Sequence, residues 1–471
     1  MNRLRAYGLF LLVLITSGIA QLHSQGTAAR PRRIAVFGSS VAFGTGDEFN
    51  KEGYTGLLRA MLAPRGWEVL NQSRGGDTTK TMAPRFAPEG TPLPNVRYLL
   101  PVKPGYVVIG LSLANEGILE AETKEAKDAI FKQYASGIKG FIDRSRQNHI
   151  VPVVGLVYPR MSYTATEYEY VRRMNLLQNS WDVPTVNFLG AVDDGTGRYA
   201  RGFDFDDRHP NAAGHHEMVY AFVPTLFDAL EKGKPQPAVP SEPAGFARVA
   251  SGNIAPFTFT TEDPMHSFAL AFSVRAESDG TVAAVTGSIL DAKTEMKISS
   301  RGNSSFESIS LTPGQTVNET IRVENGKWIY QPATGAVMRS EIRADSEWHH
   351  IVLSHYTARG ESLLFIDGKL IGKVAERLQP DRFVLAGPGS ADNPASPKQA
   401  DYKDLLLFRS ALNADEAGAL NDGKLLQASL EVYAPLGDVE FRAGSAIENR
   451  AQSMTFFKTG SGNIVHVSNP R

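Results

Sequence analysis

The sequence predicts an α/β domain followed by an all-β domain, and three observations carry that prediction. Between residues 33 and 232 short apolar runs alternate with amphipathic helical stretches, the pattern of a parallel sheet covered by helices on both faces. From residue 245 onward short period-two segments are punctuated by turns such as Glu324-Asn325-Gly326 and Asp367-Gly368, the pattern of a β-sandwich. A chain of 471 residues is also too long for one core, so two domains are expected.

In the first half, residues 34–37 read as a buried strand running into the small-residue turn Gly38-Ser39-Ser40. Residues 54–63, with Leu57, Leu58 and Met61 at helical spacing, read as a helix stopped by Pro64. Further strands are predicted at 67–70, 106–109, 151–157 and 185–188. Further helices are predicted at 123–148, with Ile130, Tyr134, Ile138 and Ile142 on one face, at 167–181 and at 211–230. The proline-rich stretch 233–245 reads as a linker between a first domain at 30–232 and a second at 246–435. In the second domain 257–260, 268–274, 320–323, 348–354 and 362–366 are strand candidates, and 381–398 reads as a Gly/Pro/Ala-rich loop. A polar extension, 436–471, with Phe441, Phe456 and Phe457, adds edge strands or packs on the first domain.

The formal net charge of -1 leaves no overall basic field for nucleic acid. The absence of cysteine excludes disulfides, a thiolate nucleophile and a cysteine metal site. Arg3 and Arg5, the apolar run 7–15 and the small residues Ser17-Gly18-Ile19-Ala20 read as a secretory signal within residues 1–25. Its apolar core is too short to span a bilayer, so no membrane span is expected after cleavage; the alternative is an uncleaved N-terminal anchor. Export without disulfides suits a bacterial periplasmic or secreted protein.

Ligands of open α/β sheets bind at the carboxyl ends of the strands. Ser40 lies at the first such end, Gly75-Gly76 at the second and Asn115 at the third. A serine there is a candidate nucleophile that needs a base. Of the 10 histidines only His209 is followed by proline, which holds it on the turn before the last helix, with Asn211 placed to cap that helix. Asp206, three residues earlier, is close enough to fix the imidazole tautomer, and the order Ser…Asp…His is compatible with a triad on an α/β sheet. Asp207 is the alternative carboxylate. Taken singly, Ser39 and Ser40 also read as turn residues, Gly75-Gly76 as a loop pair, and Asn115 as a helix cap. His215 and His216, on the final helix, read as surface or packing residues. No metal motif is present, and a His/Asp metal cluster stays open.

Gly38-Ser39-Ser40-Val41 with Gly44, the stretch from Asn71 to Gly76-Asp77-Thr78-Thr79, Asn115, and Asp206 with His209-Pro210-Asn211 together resemble the ordered blocks of the SGNH (GDSL-type) hydrolases. The resemblance covers residues 30–232. It implies a three-layer, flavodoxin-like α/β/α fold and ester hydrolysis. Ser40 would be the nucleophile, His209 the base and Asp206 its orienting carboxylate, with an oxyanion hole from the N–H groups of Ser40 and Gly76 and the side-chain amide of Asn115. Preorganised donors of this kind are worth about two to three orders of magnitude each. The chain departs from the family pattern at Ser39, where aspartate is usual, and at Leu113-Ala114-Asn115-Glu116, where Gly-x-Asn-Asp is usual. Leu113 is expected to narrow the pocket or reshape the loop holding Asn115. The absence of Gly-x-Ser-x-Gly argues against the α/β-hydrolase fold.

Glu347-Trp348-His349-His350-Ile351-Val352-Leu353, the hairpin around Asp367-Gly368, and Tyr402 to Leu412 followed by Asp415-Glu416 resemble the last strands of laminin-G-like (concanavalin A-like) jelly rolls. This resemblance speaks to fold rather than ligand, and makes Trp348 a core residue before a sugar platform. Such modules often bind glycans, sometimes with calcium; no acidic calcium loop is evident, so no cofactor is assigned. The expectation is therefore an exported serine esterase acting on small O-acyl esters, acetyl foremost, on a carbohydrate. The alternatives are an inactive SGNH-fold protein that binds glycan, and a lipid or thioester hydrolase.

Overall fold

The computed structural model describes residues 30–240, 245–250, 257–298, 305–387, 396–437, 441, 444, 446–460 and 464–468. The secretory segment expected at 1–25, and residues 388–395 of the expected loop, lie outside these.

Five parallel strands, β1 (Arg33–Gly38), β2 (Glu68–Asn71), β3 (Tyr106–Gly110), β4 (Val151–Gly155) and β5 (Thr185–Val186), pair in the order β2-β1-β3-β4-β5. This is the flavodoxin-like order, whose switch point opens a crevice beside the carboxyl end of β1. The apolar run of β1 divides by the period-two rule. Ile34 and Val36 face a layer that includes Leu58, Leu62, Met218, Phe222 and Phe227. Ala35 and Phe37 face the opposite layer, with Tyr134, Ile138, Phe141, Val171 and Met174. Burial on both faces is why the strands read as continuous apolar runs rather than alternating ones. The long helix Lys124–Gln147 starts at Thr123, whose side chain accepts from the Ala126 amide. The next helix, Ala165–Asn179, begins with a reciprocal capping box between Thr164 and Glu167.

Three expectations need correction. The helix expected at 211–230 is two helices, Ala212–Tyr220 and Leu226–Glu231. Pro224 lies between them, and a proline cannot supply the N–H that a continuous helix needs there. The strand expected at 185–188 stops at Val186, and the short helix Leu189–Val192 follows. Residues 381–385, expected to be loop, complete the strand Leu378–Leu385.

From Gly245 the chain forms an antiparallel β-sandwich of a seven-stranded and an eight-stranded sheet. Phe259, Phe272, Trp328, Ile351, Leu364 and Tyr402 are among the residues buried between them. The C-terminal strands Lys458–Thr459 and Ile464–Ser468 add to the sheets beside Phe257–Thr260 and Gly245–Ala250. Trp348 is not in this core. It is half-buried, edge-on to Phe246 at 5.5 Å between ring centroids, with the cations of Arg275 and Lys403 over its ring at 5.1 and 4.6 Å. Its sequence neighbourhood reads as a core strand, but the strand begins one residue later, at His349.

Arg32–Arg471 forms one unit by its internal contacts. Asn187, just after β5, donates its backbone amide to the Ser429 hydroxyl oxygen (2.9 Å) and its side-chain amide to Glu416 Oε1 (3.1 Å). Arg172 pairs with Asp415 at 2.5 Å. The sandwich is thereby fixed to the far edge of the parallel sheet.

Candidate active site

The carboxyl end of β1 turns directly into the one-turn helix Ser40–Phe43. The turn is tight. A Cβ on Gly38 would lie 2.0 Å from the Gly110 carbonyl oxygen of the neighbouring strand, so only glycine lets β1 and β3 run side by side there. Ser40 is the first helical residue, and its N–H falls among the amides for which a helix offers no preceding carbonyl. Ser39 is fully buried, and its hydroxyl sits 3.3 Å from the Tyr158 hydroxyl. Where aspartate is usual, this chain uses a neutral hydroxyl pair. Burial pushes the Tyr158 phenol well above its ordinary range, with the Ser39 hydrogen bond opposing, so the pair stays uncharged.

The second strand end follows the first. Arg74 N donates to Gly38 O (3.0 Å), which carries the loop after β2 alongside Ser40. A Cβ on Gly75 would lie 3.8 Å from Ser40 Cβ. Gly76 has φ +80, a left-handed conformation that favours glycine, and nothing lies within 4 Å of its would-be Cβ. The loop is held by Asp77, which is fully buried. Asp77 accepts from Arg85 Nε at 2.8 Å and Arg74 Nε at 3.0 Å, and Thr81 Oγ1 donates to it at 3.1 Å.

The third strand end is tied to the second. Asn115 Nδ2 donates to the carbonyl of Asp77, the residue after Gly76 (2.9 Å), and this bond uses one of its two amide hydrogens. The adjacent Glu116 accepts from Thr79 N, from Thr79 Oγ1 (3.0 Å) and from Gln133 Nε2 (2.9 Å). Leu113 is fully buried in the layer that holds Phe37, Ile109 and Tyr134, so its side chain is part of the core rather than exposed beside Ser40.

The segment before helix Ala212–Tyr220 supplies the imidazole. Phe205 N donates to His209 O (2.8 Å), closing a tight turn over 205–209. Within it Asp206 Oδ1 accepts from the amides of Arg208 (2.7 Å) and His209 (2.9 Å), and His209 Nδ1 lies 2.9 and 3.0 Å from the two carboxylate oxygens. A carboxylate facing Nδ1 makes that nitrogen the donor, so Nε2 is left as an acceptor. Nε2 is 3.0 Å from Ser40 Oγ. Burial pushes the Asp206 carboxyl up, but the hydrogen bonds from the His209 ring and the two amides outweigh it, and the group is held below its ordinary value. Asp207 turns the other way, to Arg160 Nε (3.3 Å) and Ser162 Oγ (3.1 Å).

His215, expected as surface or packing, is fully buried and bridges two segments. Its Nδ1 accepts from Tyr54 N (3.2 Å) and its Nε2 faces Thr45 O (3.1 Å), which binds the loop after Ser40 to the helix after His209. Burial lowers its pKa to about 4, so it is neutral at physiological pH. Among the described residues, no group of three or more His, Asp or Glu side chains is placed to hold a metal ion. No described helix is long and apolar enough to cross a membrane.

The structure thus joins Ser40, His209 and Asp206 by hydrogen bonds, sets the Gly75-Gly76 loop beside Ser40, and ties Asn115 to Asp77 in that loop. Sequence reasoning missed Glu116 as a tether, although its place beside Asn115 was visible, and missed the Asp77–Arg85 lock, for which 72–86 carries no distinctive spacing.

A parallel sheet in this order, with a hydroxyl, an imidazole and a carboxylate in line at its carboxyl ends, is the arrangement of the SGNH class of ester hydrolases. The sequence comparison agrees. Residues 36–217 match the GDSL-like lipase/acylhydrolase family. Among solved structures the chain is similar to a member of the lipolytic G-D-S-L family from Veillonella parvula, at 15% identity over 40% of this chain and 94% of that one, with a TM-score of 0.31. It is similar to the acetylxylan esterase Axe2 of Geobacillus stearothermophilus, at 15% identity over 41% and 93%, TM-score 0.31. It is also similar to a heptameric SAP-like pentraxin of Limulus polyphemus, at 12% identity over 48% and 96%, TM-score 0.27. No curated protein matches the chain.

Proposed function

We propose that this ester hydrolase is an exported enzyme that removes small O-acyl groups, acetyl foremost, from a carbohydrate through a Ser40 acyl-enzyme. The observation that carries the reading is the line from Ser40 Oγ to His209 Nε2 at 3.0 Å and from His209 Nδ1 to Asp206 at 2.9 Å. In this mechanism Ser40 Oγ attacks the acyl carbon while His209 Nε2 takes its proton. The tetrahedral oxyanion is held by the N–H groups of Ser40 and Gly76 and by the free amide hydrogen of Asn115. His209 returns the proton to the departing sugar oxygen, and the same groups then activate water to release the acid. Asp206 stays ionised, which suits a group held below its ordinary carboxyl value, and stabilises the imidazolium.

The carbohydrate part rests on the signal-like N-terminus and on the attached sandwich, a candidate glycan-binding partner of the hydrolase domain. In this reading the hydrolase domain spans 30–232, the linker 233–245, the sandwich 246–435 and the extension 436–471. A second reading, hydrolysis of longer acyl chains, is favoured by the exposed apolar side chains Phe43 (40% exposed) and Phe49 (59% exposed), close in sequence to Ser40.

The test is hydrolysis of p-nitrophenyl esters by the protein and by Ser40→Ala and His209→Ala. Each variant should lose several orders of magnitude in kcat while remaining folded, because the groups act as one unit. Turnover that survives Ser40→Ala would end the acyl-enzyme reading. A rate that falls steeply beyond acetyl or propionyl selects the small-acyl substrate; a maximum at long chains selects the second reading.

A further inference from the structure

The sandwich reaches the His209 turn through a two-stranded arm. Strands Gly280–Ile298 and Ser305–Glu324 pair with each other along nearly their whole length. Beyond Ile289, however, the first strand has no second ladder partner among the described residues. Asp291 to Met296 are exposed, so this part of the arm has no sandwich core beneath it. The second strand is different where it meets the hydrolase: Phe306, Ser308 and Ile309 are buried.

Phe306 and Ile309 meet residues of the segment that leads into Asp206 and His209. Phe306 packs on Phe205, the residue before Asp206, with ring centroids 4.9 Å apart. Asn211, two residues after His209, donates its side-chain amide to Glu307 O of the arm (3.0 Å) while its oxygen caps the following helix at Gly214 N (2.9 Å). Ile309 packs with Ala200 and Phe203. Lys297, across from Phe306 in the ladder, pairs with Glu48 at 3.0 Å, and Glu48 accepts from the Ala212 amide at 2.7 Å. The exposed pair between Arg201 and Glu307 (2.6 Å) adds little by itself. The arm therefore grips the 206–209 turn at both ends. The turn itself is half open to solvent, since the Asp206 side chain is 45% exposed, so its own burial does little to hold it.

We propose that Phe306 is a positioning residue for the hydrolytic reaction, and that the arm makes the sandwich a part of the active site rather than a separate appended module. The ring of Phe306 acts through Phe205 on the orientation of Asp206 and His209. It touches no reacting atom. This rests on the reading of Ser40, His209 and Asp206 as the reacting groups. Catalytic groups must be held to within a fraction of an ångström, and a displacement of about 1 Å caused from a distance can cost on the order of 100-fold in rate.

The experiment compares the full chain with Phe306→Ala, Phe306→Leu and Phe306→Tyr on p-nitrophenyl acetate, with Ser40→Ala as the reference. Inactivation by a small fluorophosphonate is measured in parallel, since it reads the nucleophile without a substrate-binding step. Phe306→Ala should lower kcat by roughly 10- to 100-fold with KM within about twofold, and slow inactivation by the same factor. Phe306→Tyr should restore both, because it returns the ring, and Phe306→Leu should fall between. Circular dichroism and a melting curve establish that each variant is folded at the assay temperature. If Phe306→Ala does not fold, Phe306→Leu carries the test. A folded variant whose kcat and inactivation rate both stay within about twofold of wild type overturns the proposal, as does a loss confined to KM. If instead Ser40→Ala retains turnover, the underlying triad reading fails, which is a separate result from any outcome at Phe306.

Discussion

Glu416 lies in the seam between the parallel sheet and the sandwich and is fully buried there. Its Oε2 accepts from the Asn413 amide (2.9 Å) and its Oε1 from Asn187 Nδ2 (3.1 Å). Burial pushes its pKa from an ordinary 4.5 to about 7, and the hydrogen bonds recover only part of that desolvation. The sign follows directly. Between pH 4.5 and 7 the folded state holds a proton that the unfolded state has released, so stability falls as pH rises through that window and the cost is complete above it. The difference between 4.5 and about 7, at about 1.4 kcal/mol per tenfold, amounts to roughly 3 kcal/mol. Glu416→Gln removes the ionisation but also turns an NH2 group toward one of two donors, a fixed loss of about 1–3 kcal/mol at every pH. The informative quantity is therefore the pH dependence of the difference between variant and wild type. In urea denaturation followed by circular dichroism, the variant should gain roughly 3 kcal/mol relative to wild type between pH 4.5 and 8. Asp193, which burial raises to about 6, titrates in the same window, and its charge also helps raise Glu416, so the difference curve reads Glu416 together with that coupling. Parallel stability curves across this range would refute the reasoning and place the Glu416 proton elsewhere.

Two further outcomes follow from the loop after β2. Gly76→Ala has open space for its Cβ but a φ of +80, so it should cost only about 1–2 kcal/mol of stability. If the loop relaxes by turning the peptide, the amide proposed for the oxyanion is lost, and kcat on p-nitrophenyl acetate should fall by about 100-fold or more; full activity would remove Gly76 from the oxyanion hole. Arg85→Met leaves the buried Asp77 carboxylate with only the half-exposed Arg74 as a charged partner, and should cost roughly 3 kcal/mol in thermal or urea denaturation. A shift of less than about 1 kcal/mol would show that water or Arg74 replaces the lost partner.

The parts of the site that were legible in the sequence are those where backbone chemistry is local. The run Ile34–Phe37 is readable because a strand buried on both faces must be apolar at every position. His209 stands out because Pro210 fixes the backbone beside it and Asn211 caps the next helix through Gly214 N. The arm was not legible. Its exposed residues, Lys293-Thr294-Glu295 among them, carry no apolar alternation, because half of that strand faces water on both sides. The burial of Phe306 depends on Phe205, about one hundred residues earlier, which no local pattern can show. The break at Pro224 was available in the sequence, but the apolar residues on both sides continue at helical spacing and mask it.

The two departures from the family pattern have physical consequences that differ from what their sequence context suggests. A carboxylate at position 39 would lie fully buried beside Tyr158 and would need a charged or multiply donating partner. Ser39 needs only the one hydroxyl it meets at 3.3 Å. At position 116 the longer glutamate reaches the start of the helix Thr79–Met82 and collects three donors, two from Thr79 and one from Gln133. Adjacent residues of the β3 loop therefore grip adjacent parts of the β2 loop, Asn115 at Asp77 and Glu116 at Thr79. Two tethers a residue apart fix the direction of the Asn115 amide better than one, since a single hydrogen bond leaves rotation about its own axis. The substitutions read in isolation suggest a decayed site. Read with their partners, they replace one set of restraints on the same loops with another, and they leave the separation of Ser40 and His209 at hydrogen-bonding distance.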